Sequence, residues 1–251
     1  MADLALKLAL SPLLLAQAVH TRWRLPKLPE AAGPRRGRVT ADGGAADGQL
    51  GLLIVGDSSA AGVGVNLQDD ALAGQLSQAL ARRLGLAVQW QLCASSGVTT
   101  AQAAGLLVDA LPADVAVVVT GVNDVVDQVR PATALAARAD LVAALRQRTG
   151  VRHVVLTPVP PMHKFSGLPQ PLRWLAGRDA AAHERALARW VALQSGISHL
   201  PFDLPLQDPT MLARDGFHPG APLYRLWGEA LAGHIASAVW PQHCAAAAAP
   251  A

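Results

Sequence analysis

The chain has 251 residues, 51% of them hydrophobic, with 21 basic and 18 acidic side chains for a formal charge of +3. That length and apolar content exclude a disordered chain and supply one large domain with a real core. The cations are scattered arginines with no basic stripe and no interleaved aromatics, so no nucleic-acid partner is expected; the two cysteines, Cys93 and Cys244, make neither a disulfide framework nor a zinc site.

Residues 1–25 are an apolar extension. The run MADLALKLALSPLLLAQAV is interrupted by Lys7, Ser11, Pro12 and Gln17 and is too short for a transmembrane helix. Three roles fit it. Arg22, Arg24 and Lys27 follow the run, which favours the cytoplasmic side, and Trp23 among them suits a peripheral helix on a membrane surface. Ala16-Gln17-Ala18 fits the cleavage site of an export signal, with the periplasm as destination. The third role is a helix packed on the domain. Residues 26–49 carry Pro26, Pro29, Pro34 and several glycines and read as a linker. At the other end, 241–251 read as a frayed alanine-rich tail.

Between 50 and 240 strand-like and helix-like runs alternate. Strands are expected near 51–56, 86–93, 114–120, 152–157 and 197–202, and helices near 69–84, 99–110, 131–148, 177–195 and 220–239. Val115 to Val119 is apolar throughout, as a strand buried on both faces requires. Strand–helix alternation implies βαβ units. With right-handed crossovers these build a doubly wound, three-layer α/β/α sandwich around a parallel five-stranded sheet. Sites in such sheets lie at the carboxyl ends of the strands. Those ends carry Gly56-Asp57-Ser58, Ser95-Ser96-Gly97, Gly121-Val122-Asn123-Asp124, Pro158 to Met162, and Asp215-Gly216-Phe217-His218-Pro219.

The stretch LLIVGDSSAAGVG, residues 52–64, ends a strand on an acid and two serines. One use for such a turn is a phosphate cradle. Position 67 is Leu67 where a dinucleotide fingerprint needs glycine, and the second strand ends in Cys93-Ala94-Ser95 without a ribose-binding acid. There is no Walker lysine, and Asp57 would oppose a flavin phosphate, so no cofactor is expected. The other use is a nucleophile. A serine needs a base, a group that orients the base, and donors for the oxyanion. His218, with Asp215 three residues earlier, offers base and orienter in one loop, and Pro219 can start the last helix.

In these blocks the chain resembles the SGNH, or GDSL-type, serine hydrolases: Gly56-Asp57-Ser58, Ser96-Gly97-Val98-Thr99-Thr100, Gly121-Val122-Asn123-Asp124 and Asp215-Gly216-Phe217-His218-Pro219 occur in order. The resemblance implies a flavodoxin-like sandwich with a serine esterase site and no metal. It implies Ser58 as nucleophile, His218 as general base and Asp215 as its orienter. The oxyanion hole it implies consists of the backbone N–H groups of Ser58 and Gly97 and the side-chain amide of Asn123. Ser59, where leucine is common, and Val98, where aspartate is common, depart from the family pattern.

The expected activity is hydrolysis of a carboxylic ester through an acyl-enzyme, with a lysophospholipid or another lipid-like ester as substrate. A carbohydrate O-acetyl esterase and a non-catalytic binding protein on the same fold are the alternatives. Met162, Phe165, Leu168 and Trp174 follow the fourth strand in a proline-rich stretch and are expected to form an apolar wall for the acyl chain. Asp57 and Asp124 read as loop-shaping groups, Thr99 and Thr100 as helix caps, His153 as a strand start, Cys93 as a small buried apolar residue, and His183-Glu184 as a solvated helix face.

Overall fold

The computed structural model describes residues 2–41, 48–200, 205–206 and 208–242. Its centre is β4 (Val115–Val119), every residue of which is buried. Burying each such valine stabilises the fold by roughly 1.5–3 kcal/mol, so this strand cannot lie at an edge. On one side it pairs in parallel with β2 (Gln49–Gly56), on the other with β5 (His153–Leu156). Beyond β2 lies β3 (Ala87–Ala94) and beyond β5 lies β6 (Ile197–His199), both parallel. β5 begins at His153, as expected.

The sheet has six strands, not five, in the order β1-β3-β2-β4-β5-β6. The added strand is β1 (Arg36–Val39), antiparallel to β3 with Arg36 opposite Gln91 and Val39 opposite Val88. It falls inside the stretch 26–49 that composition reads as linker. Its four residues, Arg-Gly-Arg-Val, lack the alternation of a half-buried strand because they form a short, charged edge. The preceding residues are also bound to the domain. Ala32 N–H donates to Asn66 O (2.8 Å) and Gln68 N–H to Ala32 O (2.9 Å).

Because strand side chains alternate, Leu52 and Ile54 face one layer while Leu53 and Val55 face the other. The first face is covered by α2 (Leu72–Leu84) and α7 (Ala221–His234), whose Leu76, Leu80, Tyr224 and Leu231 join the core there. The second is covered by α5 (Pro131–Thr149) and α6 (Leu172–Val191), through Leu141, Leu145 and Leu187. α3 (Thr100–Ala103) is a single turn, prolonged by a 3₁₀ turn over 104–107, and α4 (Val122–Val126) is a short helix straight after β4. Thr99 is the N-cap of α3, its N–H donating to Gln102 Oε1 (2.9 Å). Thr100 is no cap. It is buried in the first turn, and its hydroxyl donates to Asp124 (2.5 Å).

α1 (Ala2–Arg24) meets the domain at the start of α6. Gln17 Nε2 donates to Gln170 O (2.6 Å), and Leu172 N–H donates to Gln17 Oε1 (3.2 Å). Leu8, Leu15, Val19 and Trp23 share the outward face and are exposed. Among the described residues no helix is long and apolar enough to cross a membrane. The expected tail over 241–251, with Cys244, lies outside the described residues from 243 onward.

The solvated-face reading of His183-Glu184 is corrected. His183 is buried, with Nε2 3.0 Å from Val129 O. Glu184 accepts Val159 N–H (2.8 Å) and lies 2.9 Å from His199 Nε2, so it anchors the segment after β5. A helix turned toward the sheet on this side needs polar groups to satisfy loop backbone, and these two supply them. Cys93 is half-buried against the second face of the core.

Candidate active site

Chain order reverses between β2 and β4, since the connections leave β2 toward β3 and then return across to β4. Their carboxyl ends are tied by Asp57 N–H donating to Val119 O (3.0 Å). The crevice above this point is where a doubly wound sheet places its site. Immediately after β2 the chain turns tightly, with Ala61 N–H on Asp57 O (2.9 Å) and Val63 N–H on Ser58 O (3.0 Å). Asp57 is buried under the turn and accepts Ser59 N–H (2.9 Å). Burial pushes its carboxyl up to about 6 against the Ser59 hydrogen bond and nearby His218. The turn lifts the Ser58 hydroxyl into the crevice.

His218 arrives from the loop before α7. Its Nε2 lies 3.0 Å from Ser58 Oγ and its Nδ1 2.6 Å from Asp215 Oδ2. The other carboxylate oxygen of Asp215 accepts the backbone N–H of Phe217 (3.0 Å) and of His218 (3.0 Å). One buried carboxylate thus fixes both the backbone and the ring of its own loop. Burial alone would raise the Asp215 carboxyl, but the hydrogen bonds from the His218 ring, His218 N–H and Phe217 N–H together hold it below the usual carboxylate range. Asp215 therefore stays ionised and holds Nδ1 as the proton-bearing nitrogen, leaving Nε2 to accept the serine proton.

Three segments carry the N–H groups that the sequence assigns to an oxyanion. Ser58 N–H and Gly97 N–H meet no acceptor among the described residues. Gly97 has a φ of +84°, a backbone conformation that disfavours any side chain. Asn123, in α4, donates one amide hydrogen to Val98 O (2.8 Å), and its amide carries a second. α4 can begin so close to β4 because of Gly121. Its φ is +129°, and a Cβ there would lie 2.6 Å from Arg138 and 2.8 Å from Val159. Asp124 accepts Thr100 N–H (3.0 Å) as well as the Thr100 hydroxyl, and Arg138 Nη2 donates to Thr120 O (3.2 Å). These bonds lock α4 against α3. Asp57 and Asp124 therefore serve different loops rather than acting as a paired acid and base.

A model of the GDSL-like lipase/acylhydrolase family matches residues 54–226. The chain belongs to this family. It is 30% identical over 236 residues to the GDSL-like esterase Rv1075c of Mycobacterium tuberculosis, covering 87% of this chain and 74% of that protein. Among solved structures it is similar to the lipase Lip_vut3 from a goat rumen metagenome, with a TM-score of 0.60 at 18% identity over 75% of this chain and 97% of that one. It is likewise similar to a carbohydrate esterase family 2 enzyme of Corynascus thermopiles (Myceliophthora fergusii), with a TM-score of 0.59 at 18% identity over 80% of this chain and 69% of that one. The protein is an ester-hydrolysing GDSL enzyme with the α/β/α fold of its relatives.

In this GDSL enzyme the wall beside Ser58 differs from the one read in sequence. Phe165 lines the cavity at Ser58. Met162 and Leu168 do not line it; they are buried in the apolar cluster that Phe165 shares with Val125, Val159 and Leu223. Trp174 lies outside: it is 44% exposed, and its ring stacks on the Arg178 guanidinium at 4.9 Å. The reason is that α6 starts at Leu172, five residues before the helix expected from 177, so Trp174 sits on a helical turn beside its i+4 neighbour. The missed wall residues are Pro158, Pro160, Phe217, Leu223 and Trp227. Phe217 packs edge-on against both Phe165 (5.0 Å) and His218 (5.1 Å), so it joins the wall to His218. Its place next to His218 in sequence is the signal that could have found it.

Proposed function

We propose that this enzyme is a serine esterase that cleaves an apolar acyl ester through a covalent acyl-enzyme on Ser58. The observation that carries the reading is the hydrogen-bonded chain Asp215–His218–Ser58 opening onto a cavity walled by Val122, Pro158, Pro160, Phe165 and Phe217. In the first step Ser58 Oγ attacks the ester carbonyl carbon and its proton passes to His218 Nε2. Negative charge develops on the carbonyl oxygen, where Ser58 N–H, Gly97 N–H and Asn123 Nδ2 donate to it. Such preorganised donors contribute about 3 kcal/mol each to acyl transfer. His218 then gives the proton to the leaving alcohol, and water repeats the sequence to release the acid.

The wall supports an acyl group longer than acetyl, because its side chains offer area but little hydrogen bonding. A lysophospholipid or similar amphiphile fits that chemistry. α1 supports the same reading: its outward Leu8, Leu15, Val19 and Trp23, followed by Arg24 and Lys27, suit peripheral binding to an anionic lipid surface near the substrate. The second reading is a carbohydrate O-acetyl esterase, favoured by the similarity to the family 2 carbohydrate esterase. A panel of nitrophenyl esters of increasing chain length, run beside Ser58→Ala, separates them. Activity rising with chain length and lost in the variant is expected, with a fluorophosphonate label on Ser58. Activity on acetate alone supports the sugar esterase. A label on another serine of the active enzyme overturns the acyl-enzyme at Ser58.

A further inference from the structure

The Gly97 loop is gripped from outside by residues that lie before the first strand of the parallel sheet. The Glu30 carboxylate accepts both the backbone N–H (2.7 Å) and the hydroxyl (2.8 Å) of Ser96 with one oxygen, and pairs with Arg35 through the other. Arg35 in turn donates to Ala94 O (2.5 Å), at the end of β3. Carboxylate and guanidinium thus hold the two ends of the segment Ala94-Ser95-Ser96, and the next peptide carries Gly97 N–H. The same stretch is fastened to the nucleophile turn. Ala31 N–H donates to Ala61 O (3.2 Å), and Gln68 Nε2 bridges Ala31 O (3.1 Å) and Ala61 O (3.0 Å). Glu30 and Arg35 are partly exposed, so their charge attraction counts for little. What they supply is the direction of their hydrogen bonds.

We infer that Glu30, held by Arg35, is a positioning residue for the oxyanion hole, acting through Ser96 to aim Gly97 N–H at the same point as Ser58 N–H. Ser95 N–H on Gly56 O (3.2 Å) and Asn123 Nδ2 on Val98 O (2.8 Å) fix the loop on either side; between them Glu30 holds the N–H and hydroxyl of Ser96, directly before the peptide that carries Gly97 N–H. The inference rests on the acyl-transfer reading above. A donor displaced by a fraction of an ångström matters most when charge builds on the oxyanion and least when neutral ester binds.

The test is kinetic. Glu30→Ala is expected to lower kcat on a nitrophenyl ester about tenfold with KM within about twofold, and to weaken an arylboronic acid, which mimics the tetrahedral state, by about the same factor. Glu30→Gln keeps an acceptor for Ser96 N–H and is expected to recover most of both. Arg35→Gln, which leaves Glu30 in place, gives a smaller loss of the same kind and serves if Glu30→Ala does not fold. Wild-type kcat and boronate affinity in Glu30→Ala overturn the inference. So does a loss confined to KM, or a Gln variant no better than Ala. Ser58→Ala assayed alongside keeps the two proposals apart: full activity in Ser58→Ala defeats the acyl-enzyme, whereas a dead Ser58→Ala with an unimpaired Glu30→Ala defeats only the role of Glu30.

Discussion

His218 Nε2 lies 3.0 Å from Ser58 Oγ although 160 positions separate the two residues. The His218 loop is built locally, by Asp215 three residues away, while Ser58 belongs to the turn after β2. What brings them together is the seating of α7 on the turn that carries Ser58, where the buried Tyr224 hydroxyl donates to Val63 O (2.8 Å).

Asp215→Asn tests the orienting carboxylate. Asparagine keeps an oxygen for the Phe217 and His218 N–H groups but turns an amide N–H toward Nδ1, forcing the other imidazole tautomer. The expected result is a fall in kcat of about 10³- to 10⁴-fold with KM changed only a few-fold. Steady-state kinetics on one nitrophenyl ester, with circular dichroism to confirm folding, checks it.

Asn123→Ala removes a side-chain donor that also binds Val98 O. Losing the oxyanion contact is expected to cost about 10²-fold in kcat. Losing the loop contact costs about 1 kcal/mol of stability, read as a small shift in Tm.

Phe165→Ala and Trp174→Ala separate a residue that lines the cavity from one that does not. Phe165→Ala is expected to lower kcat/KM for a decanoate ester about tenfold more than for acetate. Trp174→Ala is expected to leave the chain-length profile unchanged within about twofold. Ratios of kcat/KM across the ester panel give the answer directly.

Two groups set opposing pH dependences of stability. His153 and His234 both face the Ser198 hydroxyl, at 2.9 and 2.7 Å. Burial, with His234 and Arg146 nearby, lowers His153 from 6.5 to about 4. The unfolded chain then binds more protons than the fold between those values, so this contribution is complete above 6.5 and is lost as pH falls through about 4. Asp57 works the other way. Burial raises it from 3.8 to about 6, so its contribution is complete below 3.8 and is lost as pH rises through about 6. In thermal melts across this range, His153→Gln is expected to flatten the acid-side loss. Asp57→Asn, which keeps the Ser59 N–H acceptor, is expected to gain Tm relative to the wild type as pH rises.

Much of the parallel sheet was legible because β2, β4 and β5 are buried on both faces and therefore read as unbroken apolar runs. β1 was not, because an edge strand of Arg-Gly-Arg-Val needs no apolar pattern. The four blocks of the site could be read because each must end a strand or start a helix with particular backbone and side-chain groups, as Gly121 does ahead of Asn123. The wall could not. Apolar residues that line a cavity and those that fill the core, such as Phe165 and Met162, look alike in sequence.

The sequence by itself determined the strand–helix alternation, the identity of the groups at the strand ends, and the pairing of Asp215 with His218, since all depend on neighbours a few positions apart. Only the tertiary structure decided that Phe165 and Phe217 face Ser58 while Trp174 faces solvent, and that Glu30 reaches Ser96 across 66 positions. Those relations depend on how the stretch carrying Glu30 and the loops after the strands close over the sheet, and such long-range closure leaves no periodic trace along the chain.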